Sequence, residues 1–346
     1  MARRGWKSRK KKGSGVARFL VGIFLLGLLA AAGAGWLLLT PYGPESETFV
    51  DLAPGDSALR IGEKLQAAGI VRSEFAFDLL RGFERGTLRA GEYRFDHPAP
   101  AIEVYERIAR GDVYTRALTV PEGSNIFDIA ARVEQAGFDT RKDFLNAAVE
   151  QAGLVADLDP QAKSVEGYLF PDTYRFSRRA SAAQIIAAMV HRFRVVAAQL
   201  ELKENVHQVV TLASLVERET AVDADRPLVA SVFENRLKKK MPLMTDPSVI
   251  YGLQLEGWWR GAIYQSDLSR DTAYNTYMHA GLPPGPVANP GTPSLRAALH
   301  PADSDYLYFV AAGANAQGHS MFATTLDEHN RNVAGYRRAV KKAGGQ

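Results

Sequence analysis

Residues 212–220 read LASLVERET, a nine-residue stretch with two carboxylates, Glu217 and Glu219. At about 100° per residue, a helix through this stretch places Leu212, Leu215, Val216 and Glu219 on one stripe and turns Glu217 to the opposite side. Glu219 therefore points where the leucines point. A carboxyl on the apolar face of a helix loses solvation in its charged form, so its pKa rises and it stays protonated closer to neutral pH. Such a group can serve as a general acid. The alternative is a structural glutamate neutralised by an Arg or Lys partner.

Working outward, residues 245–252 (TDPSVIYG) place Asp246 before a proline, a usual helix-start position and also a second carboxylate near the first motif. Residues 273–277 (AYNTY) offer Tyr274, Asn275 and Tyr277 as hydrogen-bonding groups for acetamido and hydroxyl functions, or as packing residues. Residues 281–293 hold five prolines and three glycines, which predicts a stiff extended loop suited to a cleft wall. Upstream, residues 166–174 (EGYLFPDTY) set Glu166, Tyr168, Phe170 and Tyr174 around a Pro-Asp turn, read equally as a platform for sugar rings or as core.

The ordered motifs ASLVERET, TDPSVIYG, AYNTY and GLPPGPVANPG together resemble the YceG-like family. The resemblance runs from the apolar N-terminal segment to near the C-terminus. In that family the second glutamate of an E-[KR]-E-T signature is catalytic, which maps onto Glu219. What the resemblance implies is an enzyme that cuts peptidoglycan glycan strands internally, between MurNAc and GlcNAc. One glutamate protonates the glycosidic oxygen and then deprotonates the muramyl C6 hydroxyl, leaving 1,6-anhydroMurNAc ends and terminating strand elongation. Glu166, Tyr168, Asp246, Tyr274, Asn275 and Tyr277 are expected to bind substrate, with no metal and no cofactor. The implied partners are glycan strands and peptidoglycan synthases. Two other readings stay open: a two-carboxylate muramidase-type hydrolase using Asp246 or Glu166, and a non-catalytic membrane-tethered peptidoglycan-binding scaffold.

Towards the N-terminus, residues 19–39 hold no charge over 21 positions, long enough for a transmembrane helix. Residues 1–18 carry eight Lys or Arg and no acid, leaving −4 for the other 328 residues of a chain whose net charge is +4. The positive-inside rule then puts the N-terminus in the cytoplasm of a single-pass inner-membrane protein, with the remainder outside. A cleaved signal peptide is the rival, disfavoured by an apolar run that continues through Trp36 to Leu39. With the basic charge confined to the tail, a nucleic-acid surface on the main body has no support.

Between the anchor and the motifs lies an internal repeat at an offset of 68. Leu52, Gly55, Ile61, Leu65, Gly69 and Ile70 correspond to Val120, Gly123, Ile129, Val133, Gly137 and Phe138. Each copy reads as a short strand, a turn glycine and an amphipathic helix stopped at Ala-Gly. The first copy continues through a helix at 74–82 and a strand at 91–95, a βααβ order that, with the family resemblance, implies a LysM-like subdomain. The expected fold class is α+β: a transmembrane helix, the LysM-like unit, and a mainly helical lytic transglycosylase domain with short strands. The expected divisions are a basic tail at 1–18, the transmembrane helix at 19–39, the LysM-like unit at 47–98, a linking region at 99–155 and a catalytic domain at 160–342. A helix spanning 182–204 is also expected.

Zero cysteines exclude disulfides and thiolate metal sites. The seven histidines show no HExxH pattern and no pair at ligand spacing, and neither a G-x-S-x-G elbow nor a Walker loop is present.

Overall fold

The computed structural model describes residues 14–83, 86–313 and 318–343. Most of the basic tail, residues 1–13, lies outside them. The fold is mixed, with helices and three separate two-stranded antiparallel sheets among the described residues. The chain divides into two compact units, Met1–Thr115 and Arg116–Gln346.

The first unit runs α1 (Ser14–Leu39), β1 (Thr48–Leu52), α2 (Ala58–Ala67), α3 (Glu74–Phe83), β2 (Gly91–Phe95) and α4 (Ala101–Arg110). Within α1, Gly15–Leu39 is long and apolar enough to cross a membrane, and the only such helix among the described residues. In β1, Val50 and Leu52 are buried while Asp51 is exposed, the period of two of a half-buried strand. β1 pairs antiparallel with β2, Thr48 opposite Phe95 and Leu52 opposite Gly91. Ser57 accepts a hydrogen bond from the Arg60 N–H and starts α2, which turns Ile61 and Leu65 inward. The βααβ order expected from sequence is therefore present. Its core, however, extends past residue 98: Val104, Tyr105 and Ile108 of α4 are buried with Phe77, Leu80 and Tyr93. The region read as linking thus begins inside this unit.

The second unit runs β3 (Arg116–Thr119), α5 (Ile126–Gln135), α6 (Arg141–Glu150), a 3-10 turn at Gln151–Val155, β4 (Thr173–Phe176), α7 (Ala182–Gln199), α8 (Val206–Glu219), α9 (Arg226–Lys238), α10 (Asp246–Leu255), α11 (Gln265–Leu268), α12 (Thr292–Leu299), β5 (Tyr308–Ala311), β6 (Ser320–Ala323) and α13 (Leu326–Ala343). The repeat is realised in the backbone. α5 starts and ends 68 residues after α2, and Gly69 and Gly137 both stop their helices at φ +70. The second copy also closes with a sheet, β3 pairing antiparallel with β4.

α7 stops at Gln199, five residues short of the end expected from sequence, because Glu201 takes a left-handed conformation at φ 55 and breaks the helix. α8 is buried nearly all round from Val210 to Val216, packed among α9, α10 and α12. It is the hub of the second core. The proline-rich segment before α12 packs onto α8: the Val287 N–H donates to Ser214 Oγ at 3.1 Å.

Candidate active site

Glu219 is the last residue of α8, and the stripe below it, Leu212, Leu215 and Val216, is buried as the periodicity requires. Its side chain opens into a cleft of about 420 Å³ that also receives Arg236 from α9, Thr245 and Asp246 at the start of α10, Tyr277, Tyr308 from β5 and His329 from α13. Thr245 Oγ1 donates to Glu219 Oε1 at 2.5 Å. Burial raises the Glu219 pKa, helped by the negative charge of Asp246 and opposed by the Thr245 hydrogen bond, Arg218 and Arg236. Its place at a helix C-terminus, the negative end of the macrodipole, acts in the same direction as burial. A carboxyl so placed holds its proton longer than an exposed one and sits at the edge of a space able to take a ligand.

The other groups in the cleft are held firmly. Tyr277 donates its hydroxyl to Asp246 Oδ1 at 2.6 Å. Arg236 donates Nε to the Leu307 carbonyl at 2.7 Å and Nη1 to the Leu243 carbonyl at 2.9 Å. His329 stacks on Tyr308 with ring centroids 5.2 Å apart, its pKa lowered by burial and by Arg236. Among the described residues its Nδ1 is buried without a hydrogen-bond partner.

Of the residues singled out from sequence, Asp246 and Tyr277 share the cleft with Glu219. Glu166, Tyr168 and Tyr274 instead line a different cavity of about 400 Å³, together with Tyr251, His207 and the prolines 284 and 286. The proline-rich loop accordingly walls that cavity and not the Glu219 cleft. Glu166 is fully enclosed and accepts hydrogen bonds from the Ile126 N–H at 2.9 Å and from Asn289 Nδ2 at 2.8 Å. Burial outweighs these donors and pushes its pKa up to about 8. Tyr168 is wholly buried, its hydroxyl donating to Asp159 at 2.6 Å and its ring edge-on to Phe193. Asn275 is wholly buried too: its Nδ2 donates to the Arg270 and Leu268 carbonyls and its Oδ1 accepts from the Tyr277 N–H. Its amide is thus committed to shaping the turn that carries Tyr277.

Glu217 does turn away from Glu219, but not into solvent. It is buried, paired with Arg226 at 2.9 Å, and accepts from the Gly291 N–H at 2.9 Å. Sequence reasoning missed Thr245, Arg236, Tyr308 and His329. Thr245 opens the TDPSVIYG motif, and its hydroxyl one residue before Asp246 was the available signal. The other three come from α9, β5 and α13, whose local patterns show only packing residues and a basic helix end. Among the described residues no group of three His, Cys, Asp or Glu side chains is placed to hold a metal ion.

An endolytic murein transglycosylase of Bacillus subtilis is 36% identical over 320 residues, covering 86% of this chain and 87% of that protein. One of Streptococcus pneumoniae is 29% identical over 363 residues, and the chain spans 64% of its length. The crystal structure of a YceG-like protein from Listeria monocytogenes superposes with a TM-score of 0.56 at 33% identity, covering 83% of this chain and 99% of that one. The YceG-like family profile matches residues 50–335, and this chain belongs to the YceG-like family.

Proposed function

We propose that the protein is a membrane-anchored endolytic lytic transglycosylase of peptidoglycan, with Glu219 as its catalytic acid and base. The observation that carries this reading is a carboxyl with raised pKa at the edge of an open cleft, held by one hydroxyl, in a chain whose relatives are named for that activity. Protonated Glu219 gives its proton to the glycosidic oxygen, the bond to the muramyl C1 breaks, and positive charge develops at C1. The resulting carboxylate then takes the proton of the C6 hydroxyl, whose oxygen bonds to C1. One bond is broken and one made, water is not consumed, and Glu219 ends protonated as it began. Asp246 and Tyr277 are the groups placed to bind substrate in the same cleft. Glu166, Tyr168, Tyr274 and Asn275 support the fold around it.

α1 serves as the anchor in this reading, with the N-terminus in the cytoplasm and the catalytic unit outside, close to where synthases extrude new strands. The βααβ unit would act as a LysM-like glycan contact. The two-carboxylate hydrolase remains a specific rival because Asp246 shares the cleft with Glu219. The two differ in their products. Incubation of the full chain with glycan strands in heavy-oxygen water should give unlabelled 1,6-anhydro ends by mass spectrometry. Labelled reducing ends would make Asp246 the water activator and the enzyme a hydrolase.

A further inference from the structure

We propose that Thr245 is the positioning residue for Glu219, its hydroxyl holding Oε1 so that the transferable proton is confined to Oε2. The inference rests on the function proposed above and deepens it. A hydroxyl that donates to one carboxyl oxygen leaves the acid proton on the other oxygen. Among the described residues Glu219 Oε2 has no hydrogen-bond donor, so it is the oxygen left free for a ligand. The same donor remains in place after the proton has gone and stabilises the carboxylate that must act next as base.

The backbone around Thr245 is built to keep this hydroxyl in place. Met244 takes a left-handed conformation at φ 53, a costly choice for a residue with a side chain. The Thr245 N–H donates to Thr276 Oγ1 at 3.0 Å, and its carbonyl accepts from Ser248 Oγ at 2.8 Å. Ser248 and Thr276 hydroxyls meet at 2.9 Å, and the Met244 N–H donates to the Thr276 carbonyl at 3.2 Å. Thr245, Ser248 and Thr276 are all buried. The hydroxyls of Ser248 and Thr276 thus lock Thr245 to the neighbouring 273–277 segment, a linkage with no evident purpose if Thr245 only capped α10. Its side chain makes no capping hydrogen bond to that helix.

The pH behaviour follows from every charged or titratable group facing Glu219. Asp246 on α10 disfavours its ionisation, Arg218 on its own helix and Arg236 on α9 favour it, and Tyr277, Tyr308 and His329 complete the cleft. Removing the Thr245 donor leaves burial and Asp246 less opposed, so the Glu219 pKa moves up. Because the free enzyme must be protonated to begin, the alkaline limb of kcat/KM moves up with it.

The test is the pH profile of full-length protein in detergent on glycan strands, for wild type, Glu219→Gln, Thr245→Val, Thr245→Ala and Thr245→Ser. The two variants without a hydroxyl should lower kcat about tenfold with little change in KM and move the alkaline limb up by about one pH unit. Thr245→Ser should restore both. Loss of activity without movement of the limb, or no change in either, overturns the positioning role while leaving Glu219 as catalyst. Having both Val and Ala variants guards against one that fails to fold. Retained activity in Glu219→Gln would instead remove the function itself, and the proposal with it.

Discussion

Two glutamates two residues apart on α8 meet opposite surroundings, and their substitutions should separate accordingly. Glu219→Gln keeps the shape of the side chain but can neither give nor take the proton, so turnover should fall by about 10²–10⁴ while glycan binding persists, as a pull-down and product assay would register. Glu217→Gln should act on stability. Arg226, only 4% exposed, would lose the carboxylate 2.9 Å away and keep, among the described residues, Asp223 at 3.0 Å, a longer contact to Glu122 and its hydrogen bond to the Ser294 hydroxyl. A loss of about 3 kcal/mol, visible in urea denaturation, is expected from breaking such a buried pair. The mild effect that exposure of Glu217 would have implied is therefore replaced by a folding defect. Glu166 adds a pH signature. Its folded pKa, about 8, lies above its ordinary 4.5, so the folded state holds the proton more tightly. That contribution to stability is full below about 4.5 and is lost as pH rises through about 8; Glu166→Gln should flatten the decline in thermal-shift curves over that window.

At the scale of elements, the repeat explains why two stretches of modest similarity fold alike: a turn glycine, a capped amphipathic helix and an Ala-Gly stop recur at the same offset. The first unit nevertheless needs α4. A fragment of residues 42–98 lacks Val104, Tyr105 and Ile108, whose removal opens the face that covers Phe77 and Tyr93. It should melt without cooperativity, whereas a fragment of residues 42–114 should unfold in a single sigmoidal transition by circular dichroism. The packing of the 281–293 segment is tight in a different way. Gly167 sits at φ +87, and a Cβ there would lie 2.5 Å from Pro286 and 2.9 Å from Val210. Gly167→Ala should cost about 3 kcal/mol through backbone strain and overpacking, measurable by the same denaturation assay.

For the molecule as a whole, the net positive charge is carried by residues 1–18, and the uncharged run 19–39 follows it directly. A reporter that works only outside the cytoplasm should be active when fused after Gln346. Activity only when fused before Met1 would reverse the orientation and take the proposed enzyme away from its substrate.

Hydrophobic periodicity alone was enough to place Glu219, because the stripe of Leu212, Leu215 and Val216 is a property of neighbours in one helix. Length and charge were enough for α1, and the 68-residue spacing for the two matching helices. These are local relations, carried in the chain itself. What surrounds Glu219 is of another kind: Thr245, Arg236, Tyr308 and His329 come from four elements, and no sequence interval relates them. Tertiary packing also decided whether an aromatic or polar residue faced a ligand or the core. Tyr168 and Asn275 were chemically suited to either place, and a buried hydroxyl or amide settles where carbonyls and carboxylates can satisfy it. Glu217 went inward for the same reason: Arg226, nine residues further on at the start of α9, offered a charge that makes burying a carboxylate tolerable.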